Sequence, residues 1–574
     1  MMLALPVGLG SSGCSKEQPP VQQKVAQLDP LPAPAGLIAD MFVPNPDAAW
    51  GKARAAVGGP ALFLPGTAGG LAATMLGLPV AAGGEIDGGV PVVGAIVENP
   101  AGGQPHAALG LHVRAGDKLV DMVTKGEAAR FVARIDDKTT MTLLEPKGGG
   151  QRPVVMGVLG NYLLVAQTSQ ELLDIGPYVA RTLPGAKMPK DDVSLELPST
   201  ALAGPIAKGL RGSWDKLKPK EVPGGAQGAS LPSPIGGMVE ALIAILGDLD
   251  HARIAVNMDD KAARVRLVGT PKAGAGAKSV EAMTVGDPRR MLELPAETEV
   301  ALSLRDSAAV RVSDAKNYAA AITRALGPET PPDDGRAIEA ALVAMAEGRG
   351  DSFTAGLSLL PTGPAAYVRS EVSDGDKLGK ALEDLTGLVK LPSVKAYLGE
   401  AAVDVSTGKA VVEGMGGDVR RVRLERKSKA ETGKGKDKAD KGKKAEAPAD
   451  GSGAPSSIDV LYTLGKDALW LAAGYEAKGA LKLVMDAPGK ENLSGRAEMK
   501  AAIEAAGDHV AFVFVVDPIR FLSRQAGKAE LGPSAPILFA VGKGGEGVGE
   551  GEPWMRLDVA NLAIQEAMRR RGAL

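Results

Sequence analysis

Five landmarks recur in the same order along the two halves of this chain, and the recurrence constrains its fold more than any other feature. Leu31-Pro32-Ala33 leads into an apolar strand (36–39) and a helix from Asp47, while Leu294-Pro295-Ala296 leads into a strand at Val300–Leu304 and a helix over Asp314–Leu326. A strand, Gly116-Asp117-Lys118-Leu119 and a helix are answered by a strand, Gly375-Asp376-Lys377-Leu378 and a helix. The spacing predicts that Asp117 and Asp376 cap those helices by accepting bonds from free backbone N–H groups. Leu159-Gly160 separates two strand-like runs within Val158–Ala166, as Leu464-Gly465 does within Thr463–Ala472, with helices expected at Ser169–Val179 and Ala477–Met485. Val193–Leu197 and Val510–Phe514 each lead to a Pro-Ile pair that opens a helix, Pro205-Ile206 and Pro518-Ile519. Glu281-Ala282-Met283 and Glu566-Ala567-Met568 close the two series.

A period this long exceeds that of a solenoid repeat and indicates a duplicated domain. Period-two patterns such as Arg264-Val265-Arg266-Leu267-Val268 imply sheets with one wet and one covered face. The expected architecture is α+β: two similar tandem domains, mostly antiparallel sheets with helices packed on them, related by a pseudo-twofold axis. Their bounds are 31–288 and 289–574. Uneven offsets place an apolar insertion near 213–249 in the first and a Lys-rich insertion at 427–457 in the second.

The chain is 45% hydrophobic, which is enough for packed cores. Lys and Arg number 66 against 68 Asp and Glu, so no electrostatic footprint of a nucleic-acid binder exists. The Lys-rich insertion carries no aromatic residue for base stacking. It reads as a disordered, solvated spacer, with contact to anionic lipid headgroups as the other reading. The uncharged run from Ala55 to Gly84 is broken by Pro60, Pro65 and Pro79, which argues for a buried Ala/Gly-rich helix near Gly70–Leu78 rather than a membrane span.

The single cysteine excludes an intrachain disulfide framework, and its surroundings are informative. A short apolar stretch, Met2-Leu3-Ala4-Leu5-Pro6-Val7, passes through small residues to Cys14, then to the polar Ser15-Lys16-Glu17-Gln18-Pro19-Pro20. This order resembles a bacterial lipoprotein signal of the signal peptidase II type, with residues 1–14 as the signal segment and 15–30 as a flexible tether. The resemblance implies lipidation of Cys14, export, and a membrane partner through the N-terminal lipid anchor. Ser15 implies outer-membrane retention, with the body facing the periplasm or the cell surface. In order and texture, residues 30–570 resemble families of duplicated α+β exported bacterial proteins of uncharacterised function. The alternative for the N-terminus is an unlipidated segment with an incidental thiol.

No catalytic constellation emerges: no phosphate-binding GxxxxGK[ST], no GxSxG elbow and no HExxH. The Gly542–Gly551 cluster lies between two strands and reads as a hairpin tip rather than a dinucleotide loop. His106 and His112 share a strand face, and a metal there would need further ligands such as Glu98. Asp250-His251 and Asp508-His509 lack a placed nucleophile. Asp136-Asp137 and Asp259-Asp260 suit turns better than a Ca²⁺ site. The expected inventory is therefore no catalytic residue, no metal and no cofactor.

The apolar segment around Met238, Val239, Leu242, Ile243, Ile245 and Leu246 has two readings, a lid over a hydrophobic ligand or a buried core helix. Together these readings describe a non-catalytic cell-envelope lipoprotein acting as a binding or scaffolding module, with a hydrophobic ligand or an envelope protein as its expected partner. The alternative is a carrier of a lipid or other hydrophobic ligand.

Overall fold

The computed structural model describes residues 29–126, 129–147, 154–217, 242–273, 278–361, 363–415, 418–426, 457–528 and 530–570. Among these residues twenty strands form one sheet, an α+β arrangement with helices on both faces. The first ten are β1 (Leu37–Val43), β2 (Val92–Val97), β3 (His106–His112), β4 (Phe131–Ile135), β5 (Thr142–Pro146), β6 (Val155–Leu159), β7 (Tyr162–Ala166), β8 (Val193–Pro198), β9 (Leu249–Met258) and β10 (Ala262–Pro271). They lie side by side as β4-β5-β6-β7-β3-β2-β1-β8-β9-β10, every pair antiparallel.

The next ten are β11 (Val300–Arg305), β12 (Arg349–Leu360), β13 (Gly363–Val372), β14 (Val403–Ala410), β15 (Val419–Arg426), β16 (Ser457–Leu464), β17 (Ala468–Gly474), β18 (Val510–Val516), β19 (Ile537–Lys543) and β20 (Pro553–Ala560). Their order is β14-β15-β16-β17-β13-β12-β11-β18-β19-β20, again all antiparallel. Antiparallel pairing of β10 with β20 joins the two runs.

Local chemistry sets these elements. Gly160 takes a positive φ of 57° in the two-residue turn of the β6–β7 hairpin, a conformation that costs glycine little. Helix α1 (Pro46–Val57) is capped by Asn45, α2 (Ala68–Met75) by Thr67, and α4 (Ser169–Arg181) by Thr168. Helix α3 (Gly116–Thr124) has no side-chain cap, because Asp117 lies within its first turn. The second half carries α6 (Ala308–Ala325), α7 (Pro332–Gly348), α8 (Gly375–Gly387), α9 (Pro392–Glu400), α10 (Ala477–Asp486) and α11 (Ala497–Ala505), following α5 (Ala207–Leu217) in the first. On α8 the cap is Asp374, not Asp376, and it accepts from the Lys377 N–H.

After β18, Pro518 opens α12 (Pro518–Gln525) at a first-turn position that needs no N–H donor. After β8 the expectation of a matching Pro-Ile start is corrected. Helix begins at once at Ser199, and Pro205 falls in a kink where Gly204 leaves helical geometry. Helix α13 (Asn561–Arg570) follows β20 and meets α1, where the Gln565 side chain donates to the Ala56 carbonyl at 3.0 Å.

One sheet face is sealed by α4 in the first half, through Leu172 and Val179 against Phe42, Val93 and Leu164. In the second half α10 and α11 seal the same face, through Leu481, Met499 and Ile503 against Val513, Leu538 and Ala540. Burying each such aliphatic side chain stabilises the fold by about 1.5–3 kcal/mol. On the opposite face α3 covers Val158 and Leu163, and α8 covers Tyr462 and Leu469. Among the described residues no helix is long and apolar enough to cross a membrane.

Candidate functional site

Directly opposed residues on neighbouring strands share a face, so the registers trace side-chain rows across the sheet. On the face carrying α3 and α8, one row runs Met41, Leu195, Ile254, Leu267, Met555, Val541, Phe512, Leu304, Phe353, crossing nine strands from β1 to β12. Two residues along, a second row runs Val193, Val256, Val265, Leu557, Phe539, Phe514, Leu302. Every member is apolar. All are partly exposed, and Leu557, near the centre, is 38% exposed.

The other side of the same strands is sealed, with Val513, Val515, Leu538 and Ala540 at most 1% exposed. Coverage of the two rows is partial: Leu195, Ile254 and Leu267 pack against the cluster of Leu202, Leu246 and Leu249, and the other members stay partly exposed among the described residues. The strip holds Phe353, Phe512, Phe514 and Phe539, half of the eight phenylalanines in the chain. Phe512 and Phe539 pack with ring centroids 6.1 Å apart. At a strand spacing of about 4.8 Å, nine strands extend about 38 Å, and two rows give about 500 Å². Contiguous apolar patches left partly exposed on a monomer are often functional.

Helices border the strip at opposite corners. At the β1–β8–β9 end, Leu202, Leu246 and Leu249 cover Ala39, Leu197 and Ala252. At the β19–β20 end, α12 and α13 stand over Ile537 and Val559, the pair next along those strands, and leave an apolar groove of about 430 Å³. Ile519, Leu522, Ala563 and Ala567 line it, with Glu566 and Arg570 at its mouth. Three bonds, two from Arg569 and one from Arg570, hold the Glu566 carboxyl down at about 2.

The sequence-derived candidates fall elsewhere. His106 and His112 end the same strand, about 20 Å apart along it, too far to share a metal. His106 lies 4.0 Å from Glu171, and exposed Glu98 sits beyond β2. His112 stands edge-on to Tyr162, and burial pulls its imidazole pKa down against the pull of Asp87. Asp250 and His251 are 3.5 Å apart, and the ring meets the Thr270 hydroxyl at 3.2 Å. That hydroxyl donates to Glu552 at 2.8 Å on an open surface, so it is not poised as a nucleophile. Asp508 and His509 sit beside the β19–β20 hairpin tip, whose Gly544, Gly545, Gly547 and Gly551 all have positive φ.

Asp136 accepts the N–H and hydroxyl of Thr139 in the β4–β5 turn. Asp259 is likewise bonded within its turn. Despite partial burial, the N–H groups of Ala262 and Lys261 and the Arg264 guanidinium bring its pKa to about 2. Among the described residues, no three His, Cys, Asp or Glu side chains converge as metal ligands.

Of the apolar segment, residues 242–247 are helical. Ile243 is buried, Leu246 is packed into the cluster with Leu202 and Leu249, and Leu242 rests against it, so this part is core. Ile245 is partly exposed. Met238, Val239, Cys14 and the insertion at 427–456 lie outside the described residues. A separate open groove of about 950 Å³ is walled by Leu360, Pro361, Leu483 and Ala487 together with the charged Glu297, Glu476, Lys482, Asp486 and Lys490.

Reasoning from the sequence missed the strip. Its signal was present in β18, where Phe512, Phe514 and Val516 alternate with Val513 and Val515 as they would in a strand covered on both faces. Comparison with protein-family models, curated proteins and solved structures finds no match to this chain.

Proposed function

We propose that this chain is a non-catalytic binding or scaffolding module of the bacterial cell envelope, and that the apolar strip is its docking surface for an envelope protein. The strip carries the reading: an uncharged, partly exposed sheet face with a footprint of about 500 Å² can supply part of the apolar centre of an interface that typically covers about 800 Å² per partner. The matching strand orders of residues 37–271 and 300–560 support descent of the body from two copies of one α+β unit, the strip lying across the pseudo-twofold axis between them. The resemblance around Cys14 supports a lipid anchor and outer-membrane display.

The test is Leu557→Lys, at an already exposed central position. The variant keeps the wild-type melting temperature and loses the partners that crosslink to the wild-type protein in cells. An unchanged crosslinking pattern rejects the surface. Absence of alkynyl-fatty-acid labelling, or equal labelling of wild type and Cys14→Ser, rejects the anchor.

One observation favours the second reading, a carrier of a lipid or other hydrophobic ligand: the apolar groove between α12 and α13. Native mass spectrometry separates the two, because a carrier retains co-purified lipid and a docking module does not.

A further inference from the structure

A second apolar surface lies apart from the strip, between β1 and β2. Phe63 is 92% exposed, Val80 93%, Met75 76%, Leu62 55% and Leu64 45%, a density of exposed large apolar side chains unmatched elsewhere among the described residues. The expectation of a buried helix at Gly70–Leu78 is corrected here. Helix α2 buries only Gly69 and Ala73, and its flanking turns point their largest side chains outward.

The tip is built to stay in place. The Trp50 indole N–H donates to the Pro65 carbonyl at 2.7 Å, and the Ala68 N–H donates to Asp47 at 2.7 Å. Gly69 allows the 80–86 segment so close that a Cβ there would lie 2.6 Å from the Gly83 and Ile86 carbonyl oxygens. Ala73, Leu78, Ala82 and Ile86 root the tip in the core beneath.

Its charge pattern identifies what it meets. No charged residue occurs from 55 to 84, so nothing in the tip opposes entry into a hydrocarbon boundary. Two cations bracket it: Arg54 donates to the Ala61 and Leu62 carbonyls, and Arg130 to the Gly77 carbonyl. Neither guanidinium meets a carboxylate among the described residues. The nearby acids are engaged, Asp47 with the Ala68 N–H and Glu85 with Lys118 at 2.6 Å. An ordered apolar tip flanked by two cations that meet no carboxylate among the described residues matches the boundary between anionic headgroups and acyl chains.

We infer that the Leu62–Leu64, Met75 and Val80 tip docks into an anionic lipid bilayer. This goes beyond the docking strip and holds without a lipid on Cys14. The test therefore uses the full chain carrying Cys14→Ser, mixed with vesicles of phosphatidylethanolamine containing one quarter phosphatidylglycerol, and with vesicles of phosphatidylcholine alone. The protein sediments with the anionic vesicles. Phe63→Glu with Val80→Glu lowers that partition about tenfold or more at an unchanged melting temperature, because both side chains are already in water. Arg130→Gln narrows the preference for anionic vesicles. Failure to bind either vesicle overturns the inference, as does equal binding by the Glu variant. It is also overturned if the protein is a dimer in solution that the Glu variant converts to monomer, which would make the tip an interface between copies.

Discussion

Arg266 of β10 and Arg556 of β20 stand directly opposite one another at the junction of the two ten-strand runs. Like charges in that position repel. The Arg266 guanidinium lies 5.5 Å from the Trp554 ring centre and donates to the Glu546 carbonyl, while burial and the Arg556 and Arg253 charges pull its pKa down. Arg556 is held by both oxygens of Asp558, at 2.7 and 2.5 Å, and Arg264 approaches the same carboxylate at 3.7 Å. Where the halves of the sheet meet, the buried Asp558 carboxylate thus holds Arg556, while Arg264 is shared with Asp259 and Arg253 faces Asp191.

Asp558→Asn should therefore destabilise the protein by about 1–3 kcal/mol, through a lost bidentate pair and uncompensated repulsion. Adding Arg266→Met to that variant should recover part of the loss, since one of the repelling charges is gone. Urea unfolding of the two variants and wild type reads both effects. Additive effects with no recovery would show that repulsion is not the cause.

The two Gly-Asp-Lys-Leu sequences start equivalent helices but occupy different surroundings. A Cβ on Gly116 would lie 2.3 Å from the Gly160 carbonyl oxygen in the β6–β7 turn, and backbone cannot yield cheaply. A Cβ on Gly375 would meet nothing closer than the Val372 side chain at 3.9 Å. Gly116→Ala should cost about 1–3 kcal/mol, whereas Gly375→Ala should be neutral or stabilise by up to about 1 kcal/mol through helix propensity. The difference between two identical substitutions in identical tetrapeptides is the observable, read as a gap in melting temperature.

These pairs show how far the fold was legible. The Leu-Gly hairpin turns, the helices that follow them and the period-two strands depend on neighbours a few residues away, and composition reveals such neighbours. The pairing of β10 with β20 was not legible. Val265, Leu267, Met555 and Leu557 make ordinary half-buried strands, and nothing local says which edge meets which. The apolar strip was hidden for a related reason, because exposure of Phe512 or Phe539 depends on whether a helix distant in sequence covers them. The caps failed more locally: Asp374 competes with Asp376 two residues away, and only backbone geometry decides.

A buried ion pair holds the second half together where β18 ends. Asp517 is fully buried and caps α12, accepting the Arg496 guanidinium, the Ser534 hydroxyl at 2.6 Å and the Arg520 N–H at 3.3 Å. Arg496 also donates to the Thr298 carbonyl at 2.6 Å, tying β18 to the start of β11. Asp517→Ala removes one partner and strands a buried cation, at an expected cost of about 3–5 kcal/mol. Replacing both, with Arg496→Met added, should cost less than Asp517→Ala alone. Chemical denaturation of this pair of variants checks the ordering.

Asp40 gives stability a pH dependence of defined sign. It sits on β1 opposite Glu196 on β8, with the Tyr178 hydroxyl donating to its two oxygens at 3.2 and 3.1 Å. Burial pushes its pKa up to about 6. The Tyr178 bond opposes that rise, and the Glu196 charge adds to it. In an unfolded chain the same carboxyl titrates near 3.9. Between those pH values the folded protein binds the proton more tightly, so this group's stabilisation is complete below about pH 4 and is lost as pH rises to about 6. Above that, the folded state carries a partly desolvated charge costing about 1–2 kcal/mol once solvent screening is allowed for. Asp40→Asn keeps an acceptor for Tyr178 and has no charge to desolvate. At pH 7 it should be more stable than wild type by that amount, and at pH 4 the two should coincide. Urea midpoints at the two pH values decide: equal stability at pH 7 would mean that water reaches the carboxylate and the neighbouring Glu196 exerts no effective repulsion.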